Sequence, residues 1–549
     1  MGETEPEAAA RRLRPFRRPG MFWLGTAACV TGVVLHLPMY LGARDMHYRL
    51  TGMSPDAPMI LGMVSIAAGL VLTFFALMPR QAREIRHQAV RIRVRALDDA
   101  RISKHHVALL IVMALAVTID VMKPTTLSFV APGVAKEYGL KTAANPGGSV
   151  PVTWLPLAGI LGTVAGSLLW GWMGDRIGRR AAILFAGIVF ISTSICGAMP
   201  GFGWNLLMCF VMGMGAGGML PIMFALIAEI IPARHRGWLI VLIGGDIAGA
   251  YVITSWLAGA LTPEFGWRIL WLIGLPTGLL LILLNRWIPE SPRYLLATGR
   301  PADAQAVMRR YGAAVTTEPE TAVVATEPAR HGFRALFAAP LAGPTLAVTG
   351  LAMAAGLLTY GFQFWVPTTL QHFGLTEVDS DYVLRNSALL GLPLTVVVAL
   401  LYGFWNSKKT IIVLAALTGL AVLVFAVSGK SAVHDATLLA ILLVIPLTGI
   451  SSVVAVLTAY GSEIYPTRVR ARGAGLIAGM TKAGGVLVLT IVLAITTTPS
   501  LTVTSLIGAV PLLLAVIAFA RAGHDTHQRR LEDLTTGEPA TPAPGRAVP

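Results

Sequence analysis

The sequence predicts an all-α integral membrane protein with about fourteen transmembrane helices. Of its 549 residues, 55% are hydrophobic and only 13% charged, more apolar than a soluble core of this size requires. The apolar residues gather into runs of about 20, the length that crosses a bilayer, separated by short Arg-rich or Gly/Pro-rich breaks. The third observation is sidedness: basic residues concentrate in alternate loops. Most soluble enzymes are excluded by this composition.

Taken in order, residues 1–20 form a basic N-terminus carrying Arg11, Arg12, Arg14, Arg17 and Arg18, which should stay cytoplasmic. Residues 21–78 hold two apolar runs, Met21 to about Ala43 and Pro58 to Leu77, and the first reads as an uncleaved signal anchor rather than a cleaved signal peptide. Residues 79–105 place eight Lys/Arg against Glu84, Asp98 and Asp99, with Ile85, Ala89 and Ile92 at helical spacing. This linker reads either as an amphipathic cytoplasmic helix on anionic lipid or as a solvated helix. Twelve further runs follow, six in 106–288 and six in 340–520, divided by a central cytoplasmic loop at 289–339. A polar tail, 521–549, is expected to be disordered.

The formal net charge of +15 would suggest nucleic acid in a soluble chain. Here it is spread over the loops assigned inside, among them Arg176, Arg179, Arg180, Arg234, Arg236, Lys408, Lys409, Arg468 and Arg470. It is a positive-inside bias, with both termini cytoplasmic, and no nucleic-acid partner is expected. Cys29, Cys196 and Cys209 fall inside apolar runs without metal-ligand spacing, so they read as small core residues. Gly213, Gly215 and Gly218 satisfy G-x-G-x-x-G, but inside an apolar span they read as close helix packing rather than dinucleotide binding. No nucleophile–base arrangement, metal cluster or phosphate loop appears, so no enzyme activity, catalytic residue, metal or cofactor is expected.

The two six-run halves carry a direct repeat, Glu229-Ile-Ile-Pro-Ala-Arg234-His-Arg236 and Glu463-Ile-Tyr-Pro-Thr-Arg468-Val-Arg470. Paired halves are typical of secondary transporters. The string Gly171-Trp-Met-Gly174-Asp175-Arg176-Ile-Gly178-Arg179-Arg180 matches in full the G-x-x-x-D-R-x-G-R-R loop of the major facilitator superfamily, and the chain resembles that family over about residues 106 to 521. The resemblance implies twelve helices in two six-helix halves, to which residues 21–78 add two helices without a family role, leaving a partner protein as one use for them. It also implies a cytoplasmic latch of Gly171, Asp175, Arg176, Gly178, Arg179, Arg180, Glu229, Arg236, Glu463 and Arg470. Pro289-Glu290-Ser291-Pro292-Arg293 is similar to the sugar-porter and organic-ion branches, and Tyr360-Gly-Phe-Gln363-Phe-Trp365-Val-Pro-Thr368 resembles the metabolite:proton symporters. The second-half copy of the loop, Gly403-Phe-Trp-Asn406-Ser-Lys408-Lys409, departs from the pattern, which puts a second latch in doubt.

Ionisable groups inside a membrane span are costly and mark functional candidates. Four stand out: Asp120, Lys123, Asp246 and Lys482. Asp120 and Lys123 lie three apart on one helical face, with Pro124 following, and are expected to form an intramembrane ion pair. Asp246 and Lys482 sit at similar depth in the two halves. Low dielectric favours the protonated carboxyl, which makes Asp120 and Asp246 the proton-coupling candidates. By analogy with the family's central site, Lys123, Lys482, Gln363, Tyr360, Trp365 and Tyr251 are the substrate-binding candidates. The resulting expectation is a transporter in the cytoplasmic membrane that moves a small organic anion or metabolite with protons by alternating access, driven by the proton gradient. The alternatives are a uniporter or exporter of a neutral or cationic solute, and a membrane sensor or assembly subunit on a transporter fold.

Overall fold

A computed structural model of the chain describes residues 18–78, 97, 100–142, 145–313, 333–339, 341–432, 434–465, 470–495 and 500–526. Fourteen long helices account for most of them: α1 (Pro19–Gly42), α2 (Ala57–Leu77), α3 (Lys104–Glu137), α4 (Trp154–Ile177), α5 (Arg179–Ala198), α6 (Phe202–Ile230), α7 (Arg234–Phe265), α8 (Ile269–Trp287), α9 (Ala342–His372), α10 (Glu377–Phe404), α11 (Ser407–Ser428), α12 (Ala436–Glu463), α13 (Arg470–Ile495) and α14 (Leu501–Ala522). Thirteen are long and apolar enough to cross a membrane, and α4 joins them with an apolar stretch over Trp154–Ser167. The count agrees with the fourteen runs in the sequence because a span is recorded locally, by length and hydropathy.

Polar residues at the breaks set the helix starts. The side chains of Asp56, Ser291, Thr376, Asn406, Asp435 and Ser500 each accept a hydrogen bond from a backbone N–H of the following first turn. The chain turns from α4 into α5 at Gly178, whose φ of +95° lies in a region that only glycine enters without strain.

Helices α3–α8 and α9–α14 form the two expected bundles. Within them α4 lies along α6, α5 along α8, α9 along α13 and α14, and α10 along α12. The bundles meet where α7 crosses α10 and α12 and where α4 meets α13. The α4–α6 seam is backbone on backbone: a Cβ on Gly162, Gly166, Gly213 or Gly217 would overlap a carbonyl oxygen of the facing helix. Gly213 and Gly218 thus serve packing, against Gly159 and Trp170, and Gly215 packs on Val189.

The leading pair α1–α2 is a hairpin closed on glycines, and a Cβ on Gly32 would sit 2.6 Å from the Gly62 carbonyl oxygen. It packs on α5, and residues 181–198 are buried without exception. Helix α11, in the equivalent place of the second half, alternates buried with exposed positions.

Several expected segments fall on other ground. Most of the basic linker (79–96, 98 and 99), residues 1–17 and residues 527–549 lie outside the described residues. In the central loop, Pro292–Ala297 and Pro301–Arg310 are short helices, and 314–332 lie outside the described residues. The tail departs from its expected start, because α14 runs to Ala522 and residues 523–526 are docked on the protein.

Candidate functional site

The end of the bundle that carries the 171–180 string is called the motif end here, and the opposite one the far end. Midway between them lie the four charged candidates. Asp120 is 1% exposed, one of its oxygens has no hydrogen-bond partner, and it feels the charge of Lys482 on α13. Lys482 Nζ reaches across to the first half and donates to the carbonyl oxygens of Gly217 on α6 (2.5 Å) and Thr163 on α4 (3.4 Å). The glycine seam makes this double contact possible, since it brings the α4 and α6 backbones close enough for one ammonium to touch both.

The expected Asp120–Lys123 ion pair does not form. Although three residues apart on α3, the two side chains diverge: Lys123 turns toward α5 and α8, 5.7 Å from the Phe190 ring centroid and against Gly274. An aromatic face supplies part of what the lost carboxylate would. Lys123 also lines, with Met122, Thr126, Thr254 and Thr277, a cavity of about 10 Å³ that lies wholly in the first half, the size of a single water. It is therefore held away from Lys482 rather than beside it.

Asp246 interrupts α7. Its N–H turns back to Ile243 (3.1 Å), the helical stretch Ile247–Phe265 starts after it, and Thr118 Oγ1 on α3 donates to its carboxylate. The two carboxylates are thereby served by α3 in different ways, one directly and one through a hydroxyl two residues away. Of the aromatic and amide candidates, Gln363 and Trp365 form a 3₁₀ break in α9 and are buried, and Trp365 Nε1 has no partner. Tyr251 packs on Phe129 with its hydroxyl unpartnered, and Tyr360 lies against Gly485 of α13.

At the motif end, Arg179 and Arg180 begin α5, and their backbone N–H groups donate to Glu290 Oε1 at 2.8 and 3.4 Å. A carboxylate at a helix start is favourable. Burial nevertheless outweighs these bonds and holds the Glu290 carboxyl above its usual 4.5. Arg179 Nη1 reaches the Gly174 carbonyl at 2.9 Å, and Ser291 Oγ donates to Glu229. The side chains of Gly171, Asp175, Arg176 and Arg470, four of the latch candidates, lie outside what the structure describes.

The second half repeats this arrangement with different residues. Asn406 Nδ2 and Ser407 Oγ, at the start of α11, each donate to Asp525 at 2.8 Å. Thr526 and Tyr402 donate to Glu463 Oε2, both at 2.7 Å. The order Glu229…Glu290-Ser291 thus recurs as Glu463…Asp525-Thr526, with the segment after α14 supplying the counterpart of Glu290. Glu463 also abuts Gly237 of α7 and feels the charge of Arg236, so this cluster touches the first half. Asp525 and Thr526 carry no motif, and only the symmetry with Glu290-Ser291 could have pointed to them.

At the far end, Glu137 and Arg268 make a buried ion pair of 2.7 Å, with side chains 4% and 0% exposed. Trp267 Nε1 and the Leu50 N–H each donate to the same carboxylate at 2.9 Å. The loop of the α1–α2 hairpin is thereby tied to the ends of α3 and α8. Among the described residues, no group of His, Cys, Asp and Glu could hold a metal.

Comparison with known proteins agrees with this architecture. The sequence profile of the Major Facilitator Superfamily matches residues 109–489. The niacin transporter NiaP of Acinetobacter baylyi is 28% identical over 402 residues, 72% of this chain and 88% of that protein. The 4-hydroxybenzoate transporter PcaK of Pseudomonas putida is 25% identical over 403 residues, 71% and 86%. A solved structure of the proton:xylose symporter XylE, bound to 6-bromo-6-deoxy-D-glucose, superposes with a TM-score of 0.61 at 16% identity, covering 78% of this chain and 98% of that one. Two six-helix bundles, the complete 171–180 string and a profile match over most of the chain have one reading: the chain belongs to the Major Facilitator Superfamily, a multi-pass membrane transporter of a small-molecule solute and not an enzyme.

Proposed function

We propose that the protein is a symporter that carries a small organic anion together with protons across the cytoplasmic membrane by alternating access. The observation that carries this reading is the buried Asp120 of the first half feeling the charge of the half-buried Lys482 of the second, neither in a closed ion pair. An ammonium held only by carbonyl oxygens makes the centre of the bundle favourable to an anion. A proton on Asp120 would offset the charge that an entering anion brings. The names of the similar transporters, for niacin and 4-hydroxybenzoate, support a small aromatic acid, and Trp365 and Tyr251 offer unpartnered donors for its polar edge. The energy source is the proton gradient, with the motif end and both termini on the cytoplasmic side.

The test is transport by the purified full chain in proteoliposomes with an internal pH dye, screening organic anions, sugars and organic cations. We expect an aromatic monocarboxylate to acidify the lumen, and both Asp120→Asn and Lys482→Gln to reduce that proton movement at least about tenfold. Uptake of a neutral or cationic solute with no pH change would replace this reading with the uniporter one. In that case Lys482 serves only to neutralise Asp120.

A further inference from the structure

Helix α7 contains a second feature, separate from the Asp120–Lys482 pair. It is one apolar span of 32 residues, Arg234–Phe265, yet it is interrupted in its middle at Gly245-Asp246. The stretch Ile247–Phe265 therefore starts inside the bundle, and the first N–H groups of a helix have no partner within it. Asp246 stands at the N-cap position but its side chain makes no capping bond to them. Its carboxylate is turned aside, one oxygen receiving Thr118 Oγ1 and the other lying beside Gly249.

What closes over this break comes from the other half. The Thr395 methyl of α10 fills the place where a Cβ on Gly245 would stand, and Ala455 of α12 lies 3.0 Å from the corresponding place on Gly244. Thr395 is 6% exposed and its hydroxyl has no hydrogen-bond partner. One turn away, Thr448 of α12 packs on Gly391 of α10, and Thr448 and Ser452 are likewise buried with unpartnered hydroxyls. Buried hydroxyls are normally bonded, most simply to the carbonyl one turn back. Three left open around a mid-span helix start are donors in search of an acceptor.

We infer that the interruption of α7 is a carboxylate subsite, in which the start of the Ile247–Phe265 stretch and the Thr395 hydroxyl hold the solute's carboxylate once Asp246 is protonated. Mid-membrane helix starts suit anionic groups because their N–H groups and dipole point the same way. With no side chain on the two glycines, a small displacement of Thr395 and Ala455, which cover them, exposes the backbone to the carboxylate. Asp246 supplies the proton dependence: ionised, it repels the incoming anion; carrying a proton taken from bulk water, it is neutral and donates a hydrogen bond instead. Thr118 from α3 is bonded to it, while Thr395 from α10 covers the neighbouring Gly245 and Ala455 from α12 and Phe224 from α6 lie by Gly244, none of them charged. Asp120, Lys123, Arg268, Asp381 and Glu463 on the surrounding helices make no hydrogen bond or ion pair with Asp246, and Thr118 is its side-chain partner. Because the donors come from both halves, the bound carboxylate bridges them and couples occupancy to closure.

This inference rests on the organic-anion reading, and its test separates the two. Binding of radiolabelled nicotinate and nicotinamide, one ring with and without a carboxylate, is measured on the full chain in proteoliposomes from pH 5 to 8. The wild type should bind nicotinate more weakly as pH rises and nicotinamide at least about tenfold more weakly than nicotinate at pH 5. Thr395→Val should weaken nicotinate about tenfold at the same pH midpoint, and Thr395→Ser should restore it, which excludes a folding effect. Asp246→Asn should bind nicotinate with most of the pH dependence gone, the remainder belonging to Asp120. If the wild type binds nicotinate while Thr395→Val keeps full affinity, or Asp246→Asn keeps the pH profile, the subsite is wrong and the anion reading stands. If the wild type binds neither probe or prefers nicotinamide, the anion reading falls and the subsite with it.

Discussion

Glu290 shows how one residue's surroundings decide its chemistry. It accepts three backbone N–H bonds, from Arg179, Arg180 and Ser291, which favour the charged carboxylate, yet burial outweighs them and its carboxyl is held above 4.5. A carboxyl raised in the folded state contributes stability that is full below its unfolded value and is lost as pH rises through its folded value. Melting curves of the wild type should therefore fall from about pH 4.5 upward by an amount that Glu290→Gln lacks; superimposable pH profiles for the two proteins would contradict this. The same competition explains Lys123, where reach and a neighbouring ring took the side chain away from Asp120. Spacing on a helix puts two residues on one face, but the groups offered by the next helices decide where each side chain goes.

At the scale of elements, the α1–α2 hairpin depends on the absence of side chains at four positions. Gly25 and Gly32 meet Gly69 and Gly62, and each would place a Cβ within 2.9 Å of backbone atoms across the pair. Close approach of this kind is how membrane helices associate when lipid offers no hydrophobic drive. Gly32→Val should push α1 off α2 and cost about 1–3 kcal/mol, read as faster hydrogen exchange at residues 44–52, where Leu50 and Thr51 now donate to Glu137. Unchanged exchange there would mean that the hairpin is held by its loop alone. Glycines in α4 and α6 use the same principle, with the added effect of presenting the Gly217 and Thr163 carbonyl oxygens to Lys482.

For the whole molecule, the two halves are joined at the centre by Lys482 and at the motif end by Glu463, which meets Gly237 and the charge of Arg236. Thr526 holds Glu463 and shares Ser407 with Asp525, so the segment after α14 is part of that junction. Removing it with the double substitution Asp525→Ala and Thr526→Val should let the motif end part more often. Spin labels on the exposed Arg234 and Lys409 should then show a new, longer component in their distance distribution. An unaltered distribution would reduce the tail to a local cap of α11. Among the described residues the hairpin's main partners, Glu137, Phe265 and α5, belong to the first half. It thickens the first half.

The spans, the division into halves, the latch string and the membership in a transporter family were legible from the sequence alone. Each is written in consecutive residues: a run long enough to cross a bilayer, a glycine at a fixed place in a turn, a charge in an apolar stretch. The sequence also marked Asp120, Asp246 and Lys482 as the costly charges. Tertiary structure decided what those charges meet. Thr118 reaches Asp246 across 128 positions, Lys482 is bound by backbone carbonyls 265 and 319 positions away, and Asp525 takes at the start of α11 the place that Glu290 has at the start of α5. A carbonyl has no residue identity to read, and the angle at which one helix presents a side chain to another is set by the packing of every other helix. Composition and spacing thus establish which residues are unusual, and only the packed bundle establishes their partners.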